Sequence, residues 1–506
     1  MRLSASDIYA HHRPSPCSLR VYLRHRGELE SEPGEYEEVL RRLGERHERS
    51  HLSSLRGVVE LDAGMREERE RLTRQAVTDE LEVIYQPALR AALEIDGVRW
   101  EVTGDPDFLI RWGDGYLIRD CKIARRITHK DHPEIHYQME LYGWLFERTF
   151  GTPPQALEVY NGAGEIVELT YKGGTRALQE LEVIAGIKRT SREPYEPVGW
   201  TKCNDCSFHY RCWPQAERRQ DVALVYGVHQ WMVHELREDG IETYPKLVEL
   251  FTEERLARLT KHADTYTSKV GKRAGSIMRM AQALVDGREI LIQPPAIPEC
   301  DDYVMFDLEG MPPQLQEPAK IYLWGLQVYG RQPGEFQSAL ADFGPEGDRN
   351  GWLEFLRLAG EVLDQHGDLP FVHWHSYEKT NIGLYVERYG DPDGVAARVL
   401  ENLVDCLPLA QESIALPLPS YSLKVVEKYI GFERKLRDTG GDWAMARYVE
   451  AVETEDELER QALMNLIIAY NREDLEAMWA VLQWLRSKGR PDLNVVPGGK
   501  AEEEED

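Results

Sequence analysis

The sequence predicts a multidomain α/β protein: two mixed α/β regions joined by a helical connector. Three observations predict it. At 506 residues the chain is longer than one hydrophobic core accommodates. Strand-like apolar runs alternate with helix-period segments in residues 1–215 and again in 300–490, whereas 216–292 is charged, helical in pattern and without a clear strand. The Pro294-Pro295 pair, followed by Ala296–Asp302, reads as a linker into a new domain. The expected division is 1–215, 216–295, 296–490 and an acidic, disordered tail at 491–506.

In the first region a long amphipathic helix is expected over roughly 34–55. Strand-like runs follow at Val98–Thr103, Phe108–Trp112 and Tyr116–Ile123, then a helix near Pro133–Arg148 and strands near Leu157–Tyr160 and Ile166–Tyr171. The last region opens with three strand candidates, Tyr303–Leu308, Ile321–Tyr329 and Phe336–Phe343, after which helices alternate with short apolar runs. No internal repeat is evident.

Apolar residues make up 42% of the chain, an ordinary value for a globular protein, and no run of about 18 apolar residues marks a membrane span. The N-terminus has no apolar signal core, so a cytoplasmic address is expected, with the seven cysteines reduced or metal-bound. The net charge of −27 argues against a broad electrostatic grip on nucleic acid. It leaves room for a local basic groove and for the carboxylate clusters that divalent-metal chemistry needs.

Cys203, Cys206 and Cys212 fall within ten residues, in TKCNDCSFHYRCWP, and Cys17 lies near the N-terminus. Four thiolates can close a metal site, and spacing alone does not separate zinc from iron. Cys121, Cys300 and Cys406 lie beside or within strands and read as ordinary thiols.

Gly44-Glu45-Arg46-His47-Glu48 lies on the first long helix. Gly104-Asp105-Pro106-Asp107 opens a strand, and Asp120-Cys121-Lys122 lies on the next. Residues two apart on a strand share a face, so Asp120 and Lys122 enter the same space. A carboxylate there can hold Mg²⁺ or Mn²⁺, and a neighbouring lysine can polarise a scissile phosphate. Gln138 and Tyr142 share a face of the following helix.

This order of motifs resembles the RecB-type branch of the PD-(D/E)XK nucleases, which have a restriction-endonuclease-like fold. In particular it resembles the iron–sulfur members: the AddB nuclease domain and the exonucleases that process spacers in CRISPR adaptation. The resemblance covers nearly all of residues 1–215. It implies that His47, Asp107 and Asp120 ligate a metal and that Lys122 is the catalytic lysine. Gln138 and Tyr142 would then be an accessory pair near DNA, and Cys17, Cys203, Cys206 and Cys212 would hold a [4Fe–4S] cluster. Asp105 competes with Asp107, because a proline stands between them where the family pattern is G-x-x-D.

The last region carries a second carboxylate set. Asp307 and Glu309 share a face at the end of the Tyr303–Phe306 run. Tyr470 and Asp474 are four apart and share a helix face. Between them, Val372–Tyr377 leads to Glu378. Carboxylates from separate elements can clamp two metal ions about 4 Å apart around a scissile phosphate, and a tyrosine beside them can orient the attacking water. This set resembles the tyrosine version of the DEDD exonucleases, an RNase H-like fold, and most nearly the YprB-type branch. The resemblance covers about 300–490. It implies Asp307, Glu309 and Asp474 as metal ligands and catalytic groups, with Tyr470 handling water. The group has aspartate at the middle motif, where this chain offers Glu378, with Asp405 as competitor.

Leu236–Thr243 has the apolar–Gly–apolar turn expected of a helix-hairpin-helix, which would present backbone N–H groups to phosphate; a helical connector with a solvated charged face is the alternative reading. Arg255, Arg258, Lys261, Lys269, Lys272, Arg273 and Arg279 follow as a locally basic stretch. The expected activity is metal-assisted phosphodiester hydrolysis of DNA, exonucleolytic and tied to repair, recombination or foreign-DNA processing. The alternatives are RNA trimming or a non-catalytic DNA-binding scaffold. No G-x4-G-K-[ST] signature appears, so strand separation is expected from a helicase or other repair partner, or from the substrate itself.

Overall fold

The computed structural model describes residues 1–61, 64–263, 266–312, 319–342, 344–436 and 440–489; the tail expected at 491–506 lies outside them. The chain forms two compact units, one mostly of Met1–Glu196, the other mostly of Cys212–Met311 and the residues from Lys320 on.

In the first unit the elements run β1 (Arg2–Ser4), α1 (Ala5–His12), α2 (Glu35–Ser54), β2 (Val58–Glu60), β3 (Val83–Tyr85), β4 (Leu89–Ile95), β5 (Val98–Gly104), β6 (Phe108–Trp112), β7 (Gly115–Cys121), α3 (Pro133–Phe150), β8 (Leu157–Tyr160), β9 (Ile166–Leu169) and α4 (Thr175–Arg189). Further helices span Ser18–Arg26 and Arg66–Thr78. A six-stranded sheet has the order β2-β3-β6-β7-β8-β9, and a smaller one the order β1-β5-β4. Strand β7 is central, antiparallel to β6 and parallel to β8. Its run Tyr116–Asp120 is buried, as a central strand covered on both faces must be. Helix α3 starts with proline at its first turn and packs Ile135, Met139, Tyr142, Leu145 and Phe146 into the same core as Trp100 and Ile118. A side chain at Gly104 would overlap Tyr142 and Leu145, so glycine is what lets α3 approach the end of β5.

In the second unit α5 (Gln230–Glu238), α6 (Tyr244–Leu250) and α7 (Ala274–Asp286) precede β10 (Asp302–Met311), β11 (Lys320–Gly330), β12 (Gln337–Leu340), α8 (Gly344–His366), β13 (Phe371–His373), α9 (Tyr377–Tyr389), β14 (Leu403–Asp405), α10 (Gly441–Glu453) and α11 (Glu457–Gly489). The five-stranded sheet has the order β12-β11-β10-β13-β14; β11 is antiparallel to β10, and β13 and β14 run parallel to it. One face packs Phe306, Trp324, Trp352, Phe355 and Tyr385. Tyr303, Met305, Val372, Leu475 and Met478 join Met232, Leu247, Ile277 and Met280, so the helices of the charged middle stretch share a core with the C-terminal sheet.

One expectation fails in that middle stretch. Thr260–Ala263 and Tyr266–Lys269 form an antiparallel pair where no strand was expected. The segment mixes Thr, Tyr, Ser and Lys without apolar alternation, so it lacks the period-two signal that reveals a strand. In the hairpin between α5 and α6, Gly240 takes a positive φ of 78°. The N–H groups of Gly240 and Ile241 donate to the carbonyls of Arg237 and Leu236 at 3.0 and 2.7 Å. Two of the amides that such a turn would offer to phosphate are thus used within the chain.

Candidate active sites

The first site assembles at one end of β6 and β7. Asp120 lies on β7 and is 1% exposed, and Lys122 follows directly after the strand and pairs with Asp120. Asp107, just before β6, donates its N–H to Asp120 Oδ1 at 3.2 Å and accepts the Cys121 N–H on its own Oδ2 at 2.6 Å. Burial pushes the Asp107 carboxyl well above its usual range, and the charge of Asp120 adds to this. Burial works against the Lys122 ammonium, but Asp120 and Asp107 outweigh it and hold the lysine charged.

Asp105 sits elsewhere: it pairs with Arg66 at 2.7 Å and with Arg69, and its side chain is 44% exposed. Gln138 donates to the Tyr142 hydroxyl at 2.7 Å. Tyr142 is pushed up by burial and next by the charge of Asp120.

His47 is placed differently. Its ring stacks on Tyr160 at 4.7 Å, with Nε2 3.3 Å from the Tyr160 carbonyl oxygen. The residue of α2 whose charge reaches Asp107 is Glu48, which also accepts the Tyr85 hydroxyl at 2.7 Å. Glu48 is the acid that sequence reasoning passed over; its only signal was its position next to His47.

The second site is built on β10 and α11. Ligand oxygens of Asp307, Glu309 and Asp474 lie within 4.8 Å of one another. Burial raises Asp307 and Glu309 well above their usual range and raises Asp474; the charges of Glu309 and Asp474 raise Asp307 further, and that of Asp474 raises Glu309 further. Three crowded, buried carboxylates repel one another unless a cation joins them, so the donor set fits hard divalent ions.

Two glycines make room. The register shifts between Glu309 and Gly310, and a side chain at Gly310 would collide with the Tyr377 hydroxyl. Gly325, paired with Asp307 across the ladder, leaves space for Asn471, whose Nδ2 donates to Asp307 Oδ2 at 2.7 Å.

Tyr470 is 3% exposed and is pushed up by burial first, then by Asp474, Glu309 and Asp307. Lys424 Nζ lies 4.7 Å from its ring centroid. Arg434 pairs with Asp474 and with both oxygens of Glu427, each of these at 2.7 Å. Glu378, in the first turn of α9, is 2% exposed, lies 3.0 Å from His373 Nδ1, and its charge reaches Asp307 and Glu309. Asp405 instead accepts the N–H groups of His375 and Leu407 at 2.9 and 3.0 Å, capping the helix Cys406–Ser413. Asn471, Lys424 and Arg434 had no motif spacing to reveal them.

The four cysteines are divided between the units: Cys17 and Cys206 go with the first, Cys203 and Cys212 with the second. Burial pushes the Cys17 thiol up to about 11, and Cys206 is among the charges adding to it. Cys203 Sγ accepts the Val198 N–H at 3.5 Å.

With this geometry in place, residues 17–213 match the family model of the PD-(D/E)XK nuclease superfamily, and 304–486 that of the RNase H superfamily. The chain therefore joins a PD-(D/E)XK nuclease domain to an RNase H-like domain, and the pair supports a metal-dependent nuclease. Nuclease domains of these kinds usually use divalent ions such as Mg²⁺ or Mn²⁺. No curated protein matches the chain. Among solved structures, the one titled "Crystal structure of SSO0001" is 13% identical, covering 34% of this chain and 95% of its own, with a TM-score of 0.20, too low for the likeness to carry weight. Among the described residues, no helix is long and apolar enough to cross a membrane.

Proposed function

We propose that the protein hydrolyses DNA phosphodiester bonds at two independent sites, exonucleolytically at the C-terminal one, in repair, recombination or foreign-DNA processing. The observation that carries the reading is the convergence of the Asp307, Glu309 and Asp474 carboxylates beside Tyr470. Asp307, Glu309, Asp474 and Glu378 would hold divalent ions there. His47, Asp107 and Asp120 would do so in the first unit, with Glu48 alongside. Bound ions supply Lewis acidity and an activated water at neutral pH.

The chain's own groups do the rest. Lys122 stays charged between Asp107 and Asp120 and is available to a phosphate oxygen. The Tyr470 hydroxyl, kept protonated by burial and by its acidic neighbours, orients the attacking water. Gln138 and Tyr142 form a polar pair on the substrate side of the first site. The chain works on free DNA ends, or on single strands supplied by a partner such as a helicase.

The decisive assay uses labelled single- and double-stranded DNA and RNA with Mg²⁺ and Mn²⁺, comparing wild type, Asp120→Ala and Asp307→Ala. Each variant should lose part of the DNA cleavage and keep the rest. If each removes all cleavage of every substrate, the sites are not independent; preferential RNA degradation would sink the DNA assignment.

Within the C-terminal site, Glu378→Ala should leave almost no activity and Asp405→Ala should be mild, because the Glu378 charge reaches Asp307 and Glu309 whereas Asp405 caps a helix. Measured as single-nucleotide laddering in an Asp120→Ala background, cleavage should also stop when the 3′ end is blocked. An active Glu378→Ala beside a dead Asp405→Ala would reverse the ligand assignment.

The four cysteines, with the chemistry of a thiolate donor set, would hold a [4Fe–4S] cluster. Anaerobically purified protein should then be brown, with absorbance near roughly 400 nm, and Cys206→Ala should bleach it. A colourless protein with zinc bound through sulfur would transfer the cysteines to zinc.

A further inference from the structure

The first unit contains a set of metal-type ligands separate from both carboxylate sites. Helix α1 ends in His11-His12, and α4 carries Glu180 opposite them. His11 Nδ1 lies 2.5 Å from Glu180 Oε1, and His12 Nε2 lies 3.0 Å from the same oxygen. The three side chains are only 12%, 11% and 13% exposed. Their ligand atoms all fall within 4.8 Å of one another. The two rings meet edge-on at 5.2 Å, and Tyr137 covers His12 at 5.3 Å.

Two ring nitrogens thus converge on a single carboxylate oxygen. His12 Nε2 is buried and not aligned for a hydrogen bond with any described group. A buried ring nitrogen without a hydrogen-bond partner is costly unless something else meets it. A cation among the three would meet all of them: two neutral imidazole lone pairs and one carboxylate. That donor set suits a borderline transition ion better than Mg²⁺, which takes oxygen ligands and keeps its waters. Two histidines and a glutamate are a known zinc ligand set, with water in the fourth position.

We propose that His11, His12 and Glu180 bind one divalent ion of the zinc class, which clips α1 to α4.

The test is a Zn²⁺ titration of chelator-treated full-length protein, read by melting temperature and by X-ray absorption at the zinc edge. Wild type should gain stability with about one equivalent beyond any bound by cysteine, with a nitrogen/oxygen shell at about 2.0–2.1 Å showing imidazole scattering. Glu180→Gln and His12→Asn should each weaken that site by more than about 100-fold, since even outer-shell partners cost 10–100-fold. Mg²⁺-dependent cleavage by the same variants reports whether they fold. The proposal fails if wild type shows only a sulfur shell near about 2.3 Å, if zinc gives no stabilisation, or if both folded variants bind it as tightly as wild type. Should either variant fail to fold, the wild-type zinc-edge spectrum still decides.

Discussion

Asp307→Asn is expected to remove cleavage at the C-terminal site, by on the order of 10³-fold or more, while making the metal-free protein more stable at neutral pH. The two effects share a cause. Asp307, Glu309 and Asp474 have raised carboxyls because they are buried together. Without metal, the unfolded chain ionises these groups near the ordinary aspartate range of about 4, while the folded chain still holds protons. Stability from this cluster is therefore complete below that range and falls as pH rises through the elevated folded values. A divalent ion supplies the missing charge and reverses the loss. Asparagine at 307 removes one of the repelling groups, so its melting temperature in chelator should decline less between pH 4 and 8, and added Mg²⁺ should restore less. Calorimetry across that range, with and without chelator, measures both. A variant that is less stable than wild type at every pH would show that mutual repulsion is not what raises these carboxyls.

Lys122→Met should cut the activity of the first site by roughly 10²–10⁴-fold, leaving the C-terminal activity intact. The lysine is the positive charge paired directly with Asp120 and the main counterweight to Asp107. Methionine keeps the stem's packing and removes only the charge. Without it, Asp107 and Asp120 face each other with less compensation, so the variant should also melt lower in chelator at neutral pH. Cleavage assayed in an Asp307→Asn background isolates the first site. If that double variant still cuts DNA at the rate of Asp307→Asn alone, Lys122 has no catalytic role.

The parts of these sites legible in the sequence are those that obey short periods. Asp307 and Glu309 announce themselves through the two-residue repeat of a strand, and Tyr470 with Asp474 through the four-residue repeat of a helix. Asp120 and Lys122 follow the first rule, although β7 ends at Cys121 and Lys122 continues its line just outside. The invisible parts come from distant chain or from loops. Lys424 and Arg434 reach Tyr470 and Asp474 from the segment around the helix Leu423–Tyr429. Asn471 mattered only once Gly325 was known to lie opposite Asp307. His47 and Glu48 are neighbours on one helix, and only the packing shows that they meet different partners, Tyr160 and Tyr85. The paired strands Thr260–Ala263 and Tyr266–Lys269 leave no mark in the sequence because hydrogen bonding, not hydrophobic alternation, defines them.

Arg434 has a consequence for how the C-terminal pocket meets changing ion supply. Its guanidinium is shared between Glu427 and Asp474. In the absence of free cations the pocket therefore carries its own counterion, tethered to the chain. That counterweight is partial, since Asp307 and Glu309 stay raised in spite of it, and an arriving divalent ion supplies the charge that the guanidinium leaves uncompensated. Such a pocket stays assembled when ions are scarce and answers to their concentration over a higher range than an open acid triad would.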